Sequence, residues 1–462
     1  MRHWLVVPLF CSALLSQGLW QQRTPVNKPS PRSHPAMAYD TATQRVYLFS
    51  GNEQGTTSQP DLWQWDGTNW QSLTWGGVLG RRLACFCSDG AGGLLLFGGL
   101  TGSGGSQTFL GDTNRLVQGQ WSYLPGPNPP ARAYAAMVAT SQGVILFGGI
   151  AGPSPYGTLV NDTWLWNGSW TQLALAASPP PRYLHAMAFD AARNVVVMFG
   201  GTLQGATQPT AETWELNGAT WTLRPSAHVP PRRESHTMHY LPHLQKTVLL
   251  GGTMFSSAYA SVTETWSWNG VDWTQEGGPG SAPERSRVGA AYDAARSIFV
   301  MFGGQGPSWP LLDDTFEYAD MPASVTAFGV GCPGPTATVP ALAGVPNEPP
   351  RLGTTARFRL TNLPTTLTVA MFVLGTSDSI DPGPPAYALP FDLAPLGWPG
   401  CQQLVANESA ALVATVSGQG DHTIAIPPTF SLLSFTFFAQ ALVFYVPTGV
   451  AVSNALRAVV GT

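Results

Sequence analysis

The sequence predicts an all-β chain, a six-bladed β-propeller followed by a β-sandwich. Three observations carry this. An apolar run that stops on paired glycines recurs along the chain, most plainly as Val195-Val196-Val197-Met198-Phe199-Gly200-Gly201. The second glycines fall at 51, 99, 149, 201, 252 and 304, giving spacings of 48, 50, 52, 51 and 52. A period of about 50 residues marks a propeller or repeat array. The 51 glycines and 41 prolines among 462 residues require many turns and leave little room for long helices. From about Pro322 the period stops, while short apolar strands continue between Pro/Gly turns, the pattern of a sandwich.

Residues 1–18 read as a secretory signal. Met1-Arg2-His3 is a positive start, Trp4 to Leu15 is apolar, and Ser16-Gln17-Gly18 offers a small-residue cut after Gly18. The expected location is therefore outside the cytoplasm, secreted or in the cell envelope. No later apolar run reaches the ~20 residues of a membrane span. Charged residues make up 10% of the chain, its formal net charge is −4, and Lys28 and Lys246 are its lysines. With no basic run, nucleic acid is excluded as a partner. Export permits disulfides. Cys332 and Cys401 can close a loop worth about 4 kcal/mol in chain entropy. Cys85 and Cys87, two apart on a predicted strand, share a face and read as packed thiols.

The repeat region spans 19–320, and its fourth unit shows the grammar. Pro181-Arg182 opens it. His185–Phe189 is a strand, 190–193 a turn, and Val195–Phe199 the second strand. A polar loop over 202–211 precedes a third strand, Glu212–Leu216. Asn217-Gly218 turns the chain into a fourth, Trp221–Leu223. Asn-Gly suits this turn because type I′ needs φ > 0 at both central residues. The sixth unit stops at Asp314–Tyr318 without a fourth strand. Trp20-Gln21-Gln22-Arg23 precedes Pro31-Arg32 as Trp170–Leu173 precedes Pro181-Arg182. The N-terminal strand is thus expected to complete the last blade and remove the open edge. The recurring tryptophans, Trp65, Trp70, Trp170, Trp221, Trp268 and Trp273 among them, are expected between blades as core.

Each unit has an Arg near its start, a strand ending in Gly-Gly, an acid before Trp or Tyr, and a further Trp about six residues on. Over residues 20–320 this resembles the kelch repeat. The first unit departs with Ser50 for a glycine, and the second with Asn114-Arg115-Leu116 in place of the aromatic strand. Residues 321–462 carry Gly331-Cys332-Pro333-Gly334, Pro390-Phe391-Asp392-Leu393, Gly400-Cys401, Phe438-Ala439-Gln440-Ala441 and Ser453-Asn454-Ala455-Leu456. They resemble a C-terminal domain that follows repeat domains in secreted bacterial proteins. That resemblance implies the β-sandwich and a Cys332–Cys401 disulfide.

The long loops follow the glycine pairs and share one face with the links between units. They are rich in Ser, Thr, Gly and Gln, and carry Tyr156, Tyr259 and Trp309. Loops on a rigid scaffold concentrate binding residues, and these suit a hydroxyl-rich ligand or a protein loop. One Arg opens each unit (Arg32, Arg81 or Arg82, Arg132, Arg182, Arg233, Arg285). One acid precedes each third strand (Asp61, Asp112, Asp162, Glu212, Glu264, Asp314). Equal counts at repeat spacing point to structural pairs; left unpaired, the arginines would line a mouth for anions. The candidate ligand residues are Arg132, Arg182, Arg233, Arg285, His185, His236, Tyr156, Tyr259 and Trp309.

His185 and His236 occupy the same repeat position. A metal needs three or four converging ligands, which the spacing does not supply, so no metal or cofactor is expected. Galactose-oxidase-like copper enzymes also use kelch propellers. Cys85, Tyr134, His185 and His236 resemble part of their ligand list, but no stretch matches their copper-binding segment. No catalytic triad, phosphate loop or zinc spacing occurs, and no catalytic residue is assigned. The expected function is a binding or interaction module for a glycan or an extracellular protein. The alternatives are a kelch-type enzyme, copper oxidase or sugar mutarotase, and a structural envelope scaffold.

Overall fold

The computed structural model describes residues 19–319 apart from 54–57, 75, 103–105, 153–156, 256–258 and 277–283. Beyond these it describes 324–328, 339–345, 349–351, 354–363, 368–375, 380–381, 387–388, 391–392, 402–403, 409–415, 419–426, 436–445 and 449–459. The proposed signal at 1–18, and Tyr156, Cys332 and Cys401, lie outside the described residues. The named elements are all strands. The chain divides into one compact unit over Leu19–Ala319 and another from Asp320 to Thr462.

The first unit contains six four-stranded antiparallel sheets among the described residues. In the fourth, Ala186–Asp190, Val195–Phe199, Thr213–Asn217 and Thr220–Leu223 pair in chain order, within a residue of the expected bounds. Apart from Arg45, Gly143, Lys246 and Thr247 the second strands are apolar, as both of their faces are buried. Leu94 and Leu96 pack toward the first sheet, while Leu95 and Phe97 pack toward the third, the two-residue alternation of a strand. The sixth sheet takes its outer strand from the other end of the unit. Leu19–Arg23 pairs antiparallel with Thr315–Ala319, Trp20 lying opposite Tyr318, so the expected closing strand is present.

The outer tryptophans knit neighbouring sheets. Trp70, Trp170, Trp221 and Trp273 are buried. Their indole N–H groups donate to Thr315, Thr113, Thr163 and Thr213 of the preceding sheet, at 2.8–3.1 Å. The first strands neighbour one another in order, and the sixth returns to the first. They enclose an axial channel of about 440 Å³ lined by residues such as Met37, Cys87, Met137, Met187 and Met238. Each first strand pairs on one side only, so its other edge supplies backbone polar groups to this channel.

The glycine pairs are explained at the junctions. The second glycine of each sheet donates its N–H to the carbonyl of the opening Arg of the next. Gly51 reaches Arg81, Gly99 reaches Arg132, and so on around to Gly304 and Arg32, at 2.8–3.4 Å. The first glycine has positive φ, and a Cβ on Gly98 or Gly200 would lie 2.5 Å from that same kind of carbonyl. Ser50 takes the left-handed conformation at φ 55, and its hydroxyl accepts from the Arg81 N–H at 2.8 Å.

In the second unit, a five-stranded sheet runs Ser324–Phe328, Gly449–Val459, Thr436–Tyr445, Thr368–Gly375, Ser409–Thr415. A three-stranded sheet runs Ala341–Gly344, Thr355–Thr361, Gly420–Ala425. Phe358 of the smaller sheet meets Phe437 of the larger edge-on at 5.9 Å. Thr436–Tyr445 is one ten-residue strand, bent by a register shift between Gln440 and Leu442. Gln440 is fully buried there and donates to the Ser453 carbonyl, which gives both motif segments a structural role.

Candidate functional site

The opening arginines are built into the framework. Arg132, Arg182, Arg233 and Arg285 are 0–3% exposed. Each donates to the carbonyl of its own sheet's first glycine, at 3.1–3.2 Å. Each also pairs with its own sheet's acid at 2.5–2.6 Å: Asp162, Glu212, Glu264 and Asp314 respectively. Arg32 and Arg81 do the same with Asp61 and Asp112. Burial would lift Asp162, but the hydrogen bonds and charge of Arg132 more than offset it and hold the carboxyl below its ordinary value. Five of the six acids also accept a further side-chain donor, the exception being Asp314, which has Phe316 at the matching position. Trp63, Trp164, Trp214 and Trp266 supply their indole N–H. In the divergent second sheet the Asn114 amide takes that place at 2.6 Å. These guanidiniums hold each sheet together, and their carbonyls join it to the preceding one.

His185 and His236 are likewise packed into the framework. Their position is filled by Pro35, Ala84, Ala135 and Val288 in the other sheets, and each of the six packs beneath its own sheet's second glycine. The His185 ring stands edge-on to Phe147 at 5.4 Å, and His236 to Phe199 at 5.7 Å. Burial, and then the Arg182 charge, lower His185 to about 3. Burial, Arg233 and His185 lower His236 well below its ordinary value. Both are neutral core groups. Among the described residues no group of three or more His, Cys, Asp and Glu is placed to hold a metal, so the copper-like set of Cys85, Tyr134, His185 and His236 is not assembled. Cys85 and Cys87 are free thiols, packed between the second and third sheets.

The candidate site is built from the residues one and two after each opening Arg. The residue directly after it bridges to the start of the long loop: Ser33 to Asn52, Arg82 to Leu100, Tyr183 to Thr202, Glu234 to Thr253, Ser286 to Gln305. The next residue has positive φ in all six sheets: His34, Leu83, Tyr134, Leu184, Ser235 and Arg287, φ 51–61. Five of the six junctions between them carry a backbone hydrogen bond. His34 donates to Arg287, Arg287 to Ser235, Ser235 to Leu184, Leu184 to Tyr134 and Tyr134 to Leu83, at 2.7–3.3 Å. This circlet forms the rim of the axial channel on the long-loop face. Non-glycine residues held at φ > 0 are costly and need a surrounding structure that enforces them; here the ring bonds and loop bridges do so.

The rim collects groups that the framework does not use. Arg287 donates through Nη1 to Gln305 Oε1 at 2.6 Å and lies 5.0 Å over the Trp309 ring. Arg82 donates through Nη1 to the Gly102 carbonyl at 2.9 Å. Tyr134 meets Tyr183 edge-on at 5.8 Å. Glu234 is buried and accepts from the Thr202 hydroxyl. Burial raises its carboxyl, against the pull of Thr202 and Arg287. Burial, with Arg287 and Arg82 adding, lowers His34 to about 3. Trp309 lies on the lip and is 42% exposed. Tyr259 lies in the short loop strand Tyr259–Ser261, and its side chain falls outside the description. Sequence reasoning missed Arg82 as distinct from Arg81, together with Glu234 and Arg287. The available signal was variability: these two positions differ from unit to unit while the Arg before them does not.

No family model matches the chain. An F-box/kelch-repeat protein of Arabidopsis thaliana is 28% identical over 182 residues, which is 34% of this chain and 36% of that protein. The match therefore spans about a third of the relative's length. The solved structure of YjhT superposes with a TM-score of 0.51 at 13% identity, covering 65% of this chain and 97% of that one; at such identity the likeness shows the fold alone. Together with the all-β sheets, these similarities support a kelch-type β-propeller.

Proposed function

We propose that this chain is an exported binding module: a six-bladed kelch-type propeller joined to a β-sandwich in which Cys332 and Cys401 form a disulfide. Its ligand, a glycan or an extracellular protein, docks at the channel rim on the long-loop face. The observation that carries this reading is the division of labour within the repeat. The opening arginines and their acids are used up by the framework. The two positions after them vary, surround the axis and hold Arg82, Tyr134, Glu234 and Arg287. The test is a glycan and secreted-protein binding screen with the full chain, repeated with Tyr134→Ala and Trp309→Ala. Val271→Ala, in the exposed turn at 269–272 on the opposite face, is the control. Binding should fall with the two rim variants and persist in the control. Ligands that bind all three equally defeat the reading.

An enzyme acting on a sugar is the second reading. One observation favours it: Glu234, whose carboxyl is raised by burial, shares the rim with Tyr134. Recovering the bound ligand chemically unchanged, with its anomers unaltered in their rate of exchange, separates the binder from the enzyme.

A further inference from the structure

We propose that the rim is a carboxylate-binding site, at which Arg82 and Arg287 receive the carboxylate of an acidic sugar of the uronic-acid class. The inference rests on the binding-module reading and adds the charge and class of the ligand.

The argument begins from a contrast among arginines. Every opening Arg has a carboxylate within 2.9 Å. Among the described residues no carboxylate lies within ion-pairing distance of Arg82 or Arg287. Their anchors are neutral: a backbone carbonyl for Arg82, an amide oxygen and an indole ring for Arg287. Arg287 Nε is buried without a hydrogen-bond partner. A partly buried guanidinium with spare donors gains most from a carboxylate, whose two oxygens match its fork. The Arg287 carbonyl accepts from the His34 N–H, and the Tyr134 N–H meets the carbonyl of Leu83, the residue after Arg82, so the same circlet carries both cations.

The charge balance selects the anion. Among the described residues, the two positions after the opening arginines hold two guanidiniums, Arg82 and Arg287, and one carboxylate, Glu234. The surplus is a single positive charge, which suits a monoanion and disfavours a dianion such as a phosphate monoester. The remaining rim groups select the body that carries it. Tyr134 offers a hydroxyl, and Trp309 exposes part of its ring beside Arg287. A hydroxyl partner and an aromatic face suit a pyranose, and the channel beyond supplies backbone donors and acceptors.

The test is titration of the purified full chain with galacturonate and glucuronate, against galactose and glucose as neutral counterparts, by ligand-observed NMR and calorimetry. The uronates should bind at least about tenfold more tightly than the neutral sugars, and less tightly as salt rises. Arg82→Gln and Arg287→Gln should each lose about that factor, with melting temperature as the folding control. Glu234→Gln should tighten binding, a direction that a damaged fold does not produce. Equal affinity for charged and neutral sugars, or undiminished uronate binding in both arginine variants, overturns the proposal. So does binding of tetraglutamate at the rim without uronate binding. Neutral ligands lost with Trp309→Ala but retained in the arginine variants would defeat this inference while leaving the binding module standing.

Discussion

Arg81 and Arg82 are consecutive in the chain and have opposite fates. Arg81 is 1% exposed, donates to the Gly98 carbonyl and forms two hydrogen bonds with Asp112. Arg82 is half-buried on the rim and meets a single backbone carbonyl. The side chains are identical, so the difference comes from position in the repeat. Arg81 stands where every unit has Arg, and every unit supplies an acid to meet it. Arg82 stands where the other units have Ser33, Ala133, Tyr183, Glu234 and Ser286. In this repeat the constant position builds the framework, and the varied position is free of that duty. Arg285 and Arg287 repeat the lesson in the sixth unit.

The sharpest way to break this comparison is to remove one arginine of each kind. Arg132→Ala strands the Asp162 carboxylate and leaves the Gly148 carbonyl without its side-chain donor. Removing one partner of a buried ion pair costs about 3–5 kcal/mol, and urea denaturation should show a loss of that order. Arg82→Ala gives up one hydrogen bond at a half-buried site and should cost about 1 kcal/mol or less. Equal losses would mean that both arginines are framework.

The buried histidines sharpen the comparison from the side of pH. His185 fills a position that other units give to Pro, Ala or Val, and its pKa lies near 3. A histidine whose folded pKa is depressed stabilises the fold fully above its unfolded value, near 6.5. That contribution drains away as pH falls toward the folded value, because the unfolded chain binds the proton first. Between pH 6.5 and 4 the loss from His185 alone is on the order of 3 kcal/mol. His185→Ala restores the residue that the second and third sheets carry and should flatten this part of the stability–pH curve. An unchanged slope between pH 4 and 6.5 would show that the ring is not held neutral.

Much of the framework was legible because it repeats. The glycine pairs mark each junction, since an invariant chain path needs the same left-handed residue and the same close carbonyl each time. The closing strand was readable from Trp20, which stands before Pro31-Arg32 as Trp170 stands before Pro181-Arg182. The rim was not readable in the same way. Its backbone conformation repeats, but it is adopted by His34, Leu83, Tyr134, Leu184, Ser235 and Arg287, which share no side-chain chemistry. His185 and His236 drew attention for the opposite reason: they recur, and recurrence here signals packing. In the C-terminal unit, Gln440 and Ser453 look like exposed polar breaks between two apolar runs. They are buried partners across a bulge, and only the pairing of distant strands puts them together.

The smallest expected effect tests whether a departure from the repeat is felt locally. Four outer tryptophans donate to a threonine of the preceding sheet, as Trp221 does to Thr163 at 3.1 Å. Trp121 of the second sheet occupies the same repeat position, but the first sheet has Leu62 where the others have threonine. The Trp121 indole N–H is buried and has no acceptor, although its ring packs on Phe49 and Phe86 at 5.1 and 5.9 Å. Replacing either tryptophan by Phe removes similar aromatic area. Trp221→Phe also removes a buried hydrogen bond and leaves Thr163 unpartnered, whereas Trp121→Phe removes a donor that was already unsatisfied. The two variants should therefore differ by about 1–2 kcal/mol, with Trp221→Phe the less stable. Matching denaturation midpoints would mean that these indole bonds add nothing beyond packing, and that the sheets are joined by apolar contact and the glycine junctions alone.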